Sequence, residues 1–454
     1  MDIPRIVAEQ REFFMSGRTR PVEFRLNALR KLQEALQQNE NRIYEALRAD
    51  LNKTVFETYM TEIGIVLDEI GYHIKHLPRW AKNRRVKTPL SQFHAKSFVS
   101  PEPYGVALII SPWNYPLQLC LTPLVGAISA GNCAVIKPSA YAPATSRAVR
   151  ELIEGIFPPE YVTVVEGGRE ENSALLEQRF DYIFFTGSVA VGKVVMAAAA
   201  KNLTPVTLEL GGKSPVIIDE SANLKLAARR VAFGKVLNAG QTCVAPDYLL
   251  IHESLREGFI SEYRSALEDF FPGGDMGDMP VIVNEKHFRR LLKLMEGEKA
   301  AIGGTFDESR RFIEPAVLVD ITPDSPIMQE EIFGPILPVI TFKDMDEAIS
   351  FVRSREKPLA FYLFTRNRET ERRVLGECSF GGGCINDTII HLATPHMGFG
   401  GVGHSGMGSY HGKKSFDTFT HYRSMVKKYN WIDMKMRYHP YTDKNFKLVR
   451  MFLK

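Results

Sequence analysis

Cysteine is scarce in this chain. The five residues Cys120, Cys133, Cys243, Cys378 and Cys384 are odd in number and irregularly spaced among 454. That argues against a disulfide framework and for a reducing compartment, so a cytoplasmic location is expected. No C-x-x-C pair is present, and no metal site is expected. Neither sign of charge is in excess. The 57 basic and 53 acidic residues leave a net charge of +4, too balanced for a nucleic-acid-binding surface. No apolar run approaches the ~20 residues needed to cross a bilayer. Met1-Asp-Ile-Pro-Arg lacks the charged-then-apolar pattern of a secretion signal. Internal repeats and low-complexity linkers are also missing.

What is present fits a soluble globular protein. With 44% hydrophobic and 24% charged residues, the chain can bury the cores of two or three domains. Residues 1–82 read as helical, because Val22, Leu26, Leu29, Leu32 and Leu36 recur at helical spacing after Arg20-Pro21. Residues 83–103 turn basic and break the helix, and 93–99 read as an extended arm. From Gly105 onward, short apolar strands alternate with helices: strands at 106–110, 134–136, 162–165, 182–185 and 206–210, helices at 117–130, 143–157 and 188–201. This is the pattern of a doubly wound parallel sheet, which binds ligands beyond the carboxyl ends of its strands. A second α/β series runs through strands at 214–218, 248–252, 338–342 and 360–364. The glycine-rich stretch 380–408 reads as irregular structure lining a cleft. The apolar, basic tail 446–454 reads as a contact for a partner subunit rather than for a membrane surface.

The organising stretch is Asn238-Ala-Gly-Gln-Thr-Cys243-Val-Ala-Pro246. Gly240 permits a tight turn, and Ala245-Pro246 forbids a helix directly after the cysteine. Cys243 is therefore expected at a loop or helix end. Backbone N–H groups there lower a thiol's pKa and supply donors for an oxyanion. A buried structural cysteine is the competing reading. Asn114, after the first strand, offers an amide to such an oxyanion, or merely caps a turn before Pro116. Lys137 follows the second strand, placed to reach ribose hydroxyls or a phosphate, or to sit on the surface. Thr186-Gly187-Ser188-Val-Ala-Val-Gly192-Lys193 follows a strand and opens a helix, a place for a phosphate. It resembles a nucleoside-triphosphate loop but has Val194 where Mg²⁺ needs a hydroxyl, so a dinucleotide without metal is expected. Two G-x-G-x-x-G matches, 398–403 and 401–406, lack a strand before and a helix after, and are discounted. Glu209, ending an apolar strand before Gly211-Gly212, is expected to have a raised pKa suited to a general base, or to be a salt-bridged edge residue. Glu331, before Gly334-Pro335, could hold a ribose diol or a substrate.

Together, Glu209-Leu-Gly-Gly-Lys-Ser-Pro215 and Gly240-Gln-Thr-Cys243 resemble the signatures of the aldehyde dehydrogenase superfamily. The run from Gly400 to Phe416 and Pro440-Tyr-Thr-Asp-Lys444 are similar to its class 3 branch, which includes the fatty aldehyde dehydrogenases. The resemblance implies a Rossmann-like dinucleotide-binding domain (1–82 and 104–209), a catalytic domain (210–408), and an oligomerisation arm with a C-terminal segment (83–103 and 409–454). It implies Cys243 as nucleophile, Glu209 as the base that activates water, and Asn114 with the Cys243 N–H as oxyanion hole. NAD or NADP would be held by Lys137, Gly187, Ser188, Gly192, Glu331 and Phe333, with Trp113 and Leu210 beside them. Tyr115, Ile390 and His391, with Met60, Phe233 and Phe399, would line an apolar tunnel for a medium or long aliphatic, or an aromatic, aldehyde. Membrane-bound members carry an apolar C-terminal anchor; its lack here implies a soluble form, and relatives imply a homodimer.

One departure bears on the cofactor. Class 3 relatives can carry glutamate at the position of Ala140. Alanine does not repel a 2′-phosphate, so NADP is expected alongside NAD. Three other readings compete. A cysteine hydrolase with a histidine base is one, but none of the 11 histidines sits in a matching motif. In a CoA-acylating dehydrogenase a thiol replaces water, and the presence of Glu209 argues against it. A non-catalytic binding protein of the same fold would usually have lost Cys243.

Overall fold

A computed structural model describes residues 2–453. Its first part is helical, as the spacing of Leu26, Leu29, Leu32 and Leu36 requires. The helix Val22–Gln38 buries that stripe, with Leu29, Leu32 and Leu36 fully enclosed. After the helix Glu40–Leu51, a short helix Val55–Thr58 widens into a π turn, Tyr59–Ile63, before the helix Gly64–Trp80. Such turns shift the side-chain register by one residue and are common beside functional sites.

Two largely parallel sheets follow. The first has the strand order Gly406–Met407, Val206–Glu209, Tyr182–Thr186, Val106–Ile110, Cys133–Lys137, Val162–Val164. All its pairs are parallel except the edge pair, where Gly406 lies opposite Glu209. Val106–Ile110 and Cys133–Lys137 are buried along their whole length, which is why they read as unbroken apolar runs. The helix Gln118–Ala130 is buried on every side. The second sheet has seven strands in the order Lys299–Ile302, Ala316–Val319, Ile336–Phe342, Tyr248–His252, Pro215–Ile218, Ala360–Phe364, Gly382–Ile385. A third, antiparallel sheet joins Arg84–Val86, Ala95–Pro103 and Thr420–Lys428, so the arm and the segment after residue 409 form one structure.

Two expectations need correction. The stretch 380–408 is not wholly irregular: Gly382–Ile385 is a strand parallel to Ala360–Phe364. Gly383 is required there because a Cβ would sit 2.0 Å from the Phe361 carbonyl oxygen, and glycine hides the strand from a hydrophobicity pattern. Likewise, residues 210–408 are not self-contained, since Gly406–Met407 closes the edge of the first sheet. The two G-x-G-x-x-G runs belong to this packing. Cβ atoms on Gly400 and Gly401 would lie 2.2 and 2.1 Å from the carbonyl oxygens of Gly408 and Ser405.

Candidate active site

Cys243 follows three consecutive residues in the left-handed region: Asn238 (φ 50°), Ala239 (φ 52°) and Gly240 (φ 69°). This kink ends the helix Leu224–Val236 and turns the chain toward the strand Tyr248–His252. The Gln241 side chain pins the turn: Nε2 donates to the carbonyls of Asn238 (3.1 Å) and Val281 (3.0 Å), and Oε1 accepts from the Val283 N–H (3.0 Å). The cysteine thus sits in a turn and is partly exposed to a cavity.

Its thiol does not behave as the local turn predicts. Burial, and then the carboxylates of Glu331 and Glu209, push its pKa well above the ordinary thiol range. The N–H groups of Cys243 and Val244 pull the other way but do not prevail. The expected lowering is therefore corrected: desolvation and two distant carboxylates outweigh the backbone donors.

Cys243 forms part of two cavities. The first, about 350 Å³, lies at the carboxyl ends of the first sheet. Glu209, Asn114 and Trp113 line it with Cys243, as do Gly187, Ser188 and Leu210. Glu331 and Phe333 close its other side. Both carboxyl oxygens of Glu209 are buried without a hydrogen-bond partner, and desolvation holds its pKa well above the usual carboxylate range. Asn114 Nδ2 donates one hydrogen to the Gln241 carbonyl (3.0 Å), leaving its second hydrogen unassigned. The Glu331 carboxyl rests on the Gly211-Gly212 turn, where a Cβ on Gly211 would come within 2.1 Å of it. Burial and Asp247 raise its pKa to about 8. Phe333, itself at φ 52°, sets its ring 5.3 Å from Trp113.

Lys137 and Gly192 stand outside this lining. Lys137 is buried at its strand end and donates to the carbonyls of Pro138 (2.8 Å) and Gly167 (2.6 Å). Gly192 lies in the helix Val189–Ala200, where a Cβ would meet Leu210 at 2.7 Å.

The second cavity, about 160 Å³, is walled mainly by apolar side chains. Tyr115, Ile390, Met60, Phe233 and Phe399 line it together with Cys243. His391 does not. Its Nδ1 lies 3.6 Å from the Cys384 sulfur, and its Nε2 is buried without a partner. The strained turn at Ile389 (φ 65°) gives the cavity wall to Ile389 and Ile390 instead.

Sequence reasoning missed His287 and Arg290 in the first cavity and Leu237, Tyr410 and His411 in the second. His287 and Arg290 lie one turn apart on the helix Glu285–Met295, whose buried stripe is Phe288, Leu291 and Leu294. Their spacing puts them on one helix face but does not say what that face meets. Arg290 donates to the carbonyls of Glu331 (3.1 Å) and Ile332 (2.6 Å), fixing the loop that carries Glu331 and Phe333.

A dinucleotide suits the first cavity. The buried Thr186 hydroxyl and the His287 Nδ1 face it without partners, and the helix Val189–Ala200 presents its N-terminus with Ser188 as cap. Among the described residues no group of three or more His, Cys, Asp or Glu could hold a metal ion.

Known proteins resemble the whole chain. Residues 1–425 match the model of the aldehyde dehydrogenase family. The chain is 50% identical to 4,4'-diaponeurosporen-aldehyde dehydrogenase of Staphylococcus aureus over 98% of each chain. It is 46% identical to the dimeric, NADP-preferring aldehyde dehydrogenase of Mus musculus, over 94% of each. A solved, substrate-bound Staphylococcus aureus AldH superposes with a TM-score of 0.98 at 48% identity, with complete coverage of both chains. The family match over residues 1–425, these relatives and this shared fold place the chain, with its two cavities meeting at Cys243, in the aldehyde dehydrogenase family, as an enzyme that oxidises aldehydes with NAD or NADP.

Proposed function

We propose that the enzyme oxidises medium- or long-chain aliphatic, or aromatic, aldehydes to acids through a covalent intermediate on Cys243. The observation that carries this reading is that Cys243 belongs to both cavities, so a carbonyl carbon at its sulfur has the dinucleotide cleft on one side and an apolar channel on the other. A further hollow of about 230 Å³ shares Met60, Ile65, Leu392, Ala393 and His411 with that channel and lengthens the path, with Asp68 and Glu69 adding polar groups to its wall.

The Cys243 thiolate adds to the carbonyl carbon, and the resulting alkoxide takes hydrogen bonds from the Cys243 N–H and the free hydrogen of Asn114 Nδ2. The chemistry supplied by the dinucleotide is acceptance of a hydride. Gly187, Ser188, Trp113 and Leu210 would hold it on the sheet side, Glu331 and Phe333 on the other, with Lys137 and Gly192 supporting the strand and helix ends. Glu209, unpartnered and with a pKa raised by burial, acts in its ionised form: the carboxylate takes a proton from water as the water attacks the thioester carbonyl and passes it to the departing sulfur, giving the acid and restoring the thiol. A carboxylate poised to act on water favours hydrolysis over transfer to CoA.

We assign 1–82 and 104–209 to dinucleotide binding, 210–408 to catalysis apart from Gly406–Met407, which completes the first sheet, and 83–103 with 409–454 to pairing in a homodimer. The exposed strand Thr420–Lys428 at the edge of the third sheet, and a relative described as dimeric, support the last. No helix among the described residues is long and apolar enough to cross a membrane. With five free cysteines, a cytoplasmic enzyme is the reading we favour.

The test is NADH absorbance across aldehydes of increasing chain length, with Cys243→Ser beside the parent. Rising kcat/KM with chain length and loss of turnover in the variant are expected. Equal turnover in the variant, or thioester product formed only with CoA, would overturn the reading.

A further inference from the structure

The Asn114 peptide is gripped from two sides. Its carbonyl accepts from Lys53 Nζ (3.0 Å) and from Asn238 Nδ2 (2.8 Å). Asn238 Nδ2 also reaches the Gln241 carbonyl (3.1 Å), the same oxygen that accepts from the Asn114 side chain. The loop carrying the oxyanion donor and the loop carrying the nucleophile are therefore tied at one knot.

Lys53 lies outside both loops and is 1% exposed. Its ammonium has three hydrogens to satisfy, and three groups face it: Glu62 Oε1 at 2.6 Å, the Asn114 carbonyl, and the ring of Tyr115, 4.1 Å from its centroid. Glu62 is fully buried in the π turn Tyr59–Ile63. Its second oxygen accepts from the N–H groups of Leu117 (2.9 Å) and Gln118 (3.1 Å), where the helix Gln118–Ala130 begins. On the cysteine side, Glu57 Oε1 accepts the Asn238 N–H (2.8 Å). One short stretch, Lys53 to Glu62, thus brackets the chain from Asn114 to Gln118 and reaches the kink before Cys243. A buried ion pair is seldom worth much stability against an apolar replacement, so this one needs another reason to exist.

We propose that Lys53, oriented by Glu62, is a positioning residue for the reaction: it fixes the Asn114–Tyr115 peptide so that the Asn114 amide meets the alkoxide formed on Cys243. This rests on the role given to Asn114 above. Oxyanion donors work through preorganisation, so a loop free to shift loses rate at the chemical step, while Gly187, Ser188, Glu331 and Phe333 still line the dinucleotide cleft from outside that loop.

The test compares Lys53→Met/Glu62→Gln, which removes both members of the pair and leaves Glu57 to accept the Asn238 N–H, with Asn114→Ala and with the triple variant. The double variant should lower kcat about tenfold or more, leave the KM for the dinucleotide within about threefold, and still melt cooperatively. In the Asn114→Ala background the same pair of changes should cost no more than about twofold, because the group they position is gone. An unchanged kcat in the double variant, or an undiminished loss on top of Asn114→Ala, overturns the proposal. Unchanged turnover in Asn114→Ala alone instead overturns the reading of Asn114. Should the double variant not fold, Lys53→Arg keeps the charge and misplaces the grip. It must lower kcat in the parent and not in Asn114→Ala, or the proposal fails.

Discussion

Cys243 and Glu209 wall the same cavity, and burial drives both toward their neutral forms. For the thiol the sign is clear. A pKa raised by burial, Glu331 and Glu209 means less thiolate at neutral pH than a free cysteine has. In the enzyme without dinucleotide, alkylation of Cys243 by iodoacetamide should therefore climb steadily from roughly pH 6 to pH 10 with no neutral plateau. Glu331→Gln removes a negative neighbour and should move the profile to lower pH. Mass-spectrometric rates at Cys243 measure both, and a plateau near neutrality would contradict the burial argument.

Glu209→Gln separates two consequences of the unpartnered carboxyl. Without a base for water, thioester hydrolysis should slow by about 10²-fold or more, giving a burst of NADH followed by a slow phase. Stability should move the other way. A carboxyl whose folded pKa is raised contributes stability that is present below its unfolded pKa and lost as pH rises through the folded value. The variant should lack that decline, which sets in above the ordinary carboxylate pKa, so its melting temperature relative to the parent should rise with pH. Melting curves that shift in parallel across pH would remove the desolvation claim.

These contrasts show what the chain reveals before it folds. Val106–Ile110, Tyr248–His252 and Ala360–Phe364 were legible to the residue, because strands buried on both faces must be unbroken apolar runs. Asn114, Gly187, Ser188 and Glu209 were legible as site candidates because they follow such strands, where this sheet type opens its cleft. His287 and Arg290 were not, since a helix from a distant part of the chain brings them to the cavity and local pattern says nothing of that approach. The acidity of Cys243 was misread for a related reason: the turn is local, but Glu209 and Glu331 arrive through tertiary structure. His391 faces Cys384 because Ile389 adopts a left-handed backbone that a β-branched residue rarely takes and no pattern announces.

Ala140 is exposed three residues beyond Lys137, at the end of the strand Cys133–Lys137. If its lack of charge admits a 2′-phosphate, Ala140→Glu should cut kcat/KM with NADP by about tenfold or more while changing the NAD value little. Comparative kinetics with both dinucleotides checks this. A parent enzyme that prefers NAD several hundred-fold, on the order of 3 kcal/mol, would show that something other than this position excludes the phosphate.

Gly240 and its neighbour Ala239 should respond unequally to mutation, although both adopt left-handed backbone. A Cβ on Gly240 would lie 2.2 Å from the Gly334 carbonyl oxygen, which is backbone and cannot swing aside. Gly240→Ala must therefore push Gly334 away and carry Phe333 and Glu331 with it, or unwind the kink that presents Cys243. The αL cost alone is about 1–2 kcal/mol, and the clash adds to it. Ala239→Gly relieves the same backbone cost but gives up a buried methyl, so a change within about 1 kcal/mol is expected. Denaturant unfolding of both variants, with the dinucleotide KM as a second readout, decides the matter. A Gly240→Ala protein as stable as the parent and with an unaltered dinucleotide KM would mean that the turn and the Glu331 loop are not in contact through this backbone.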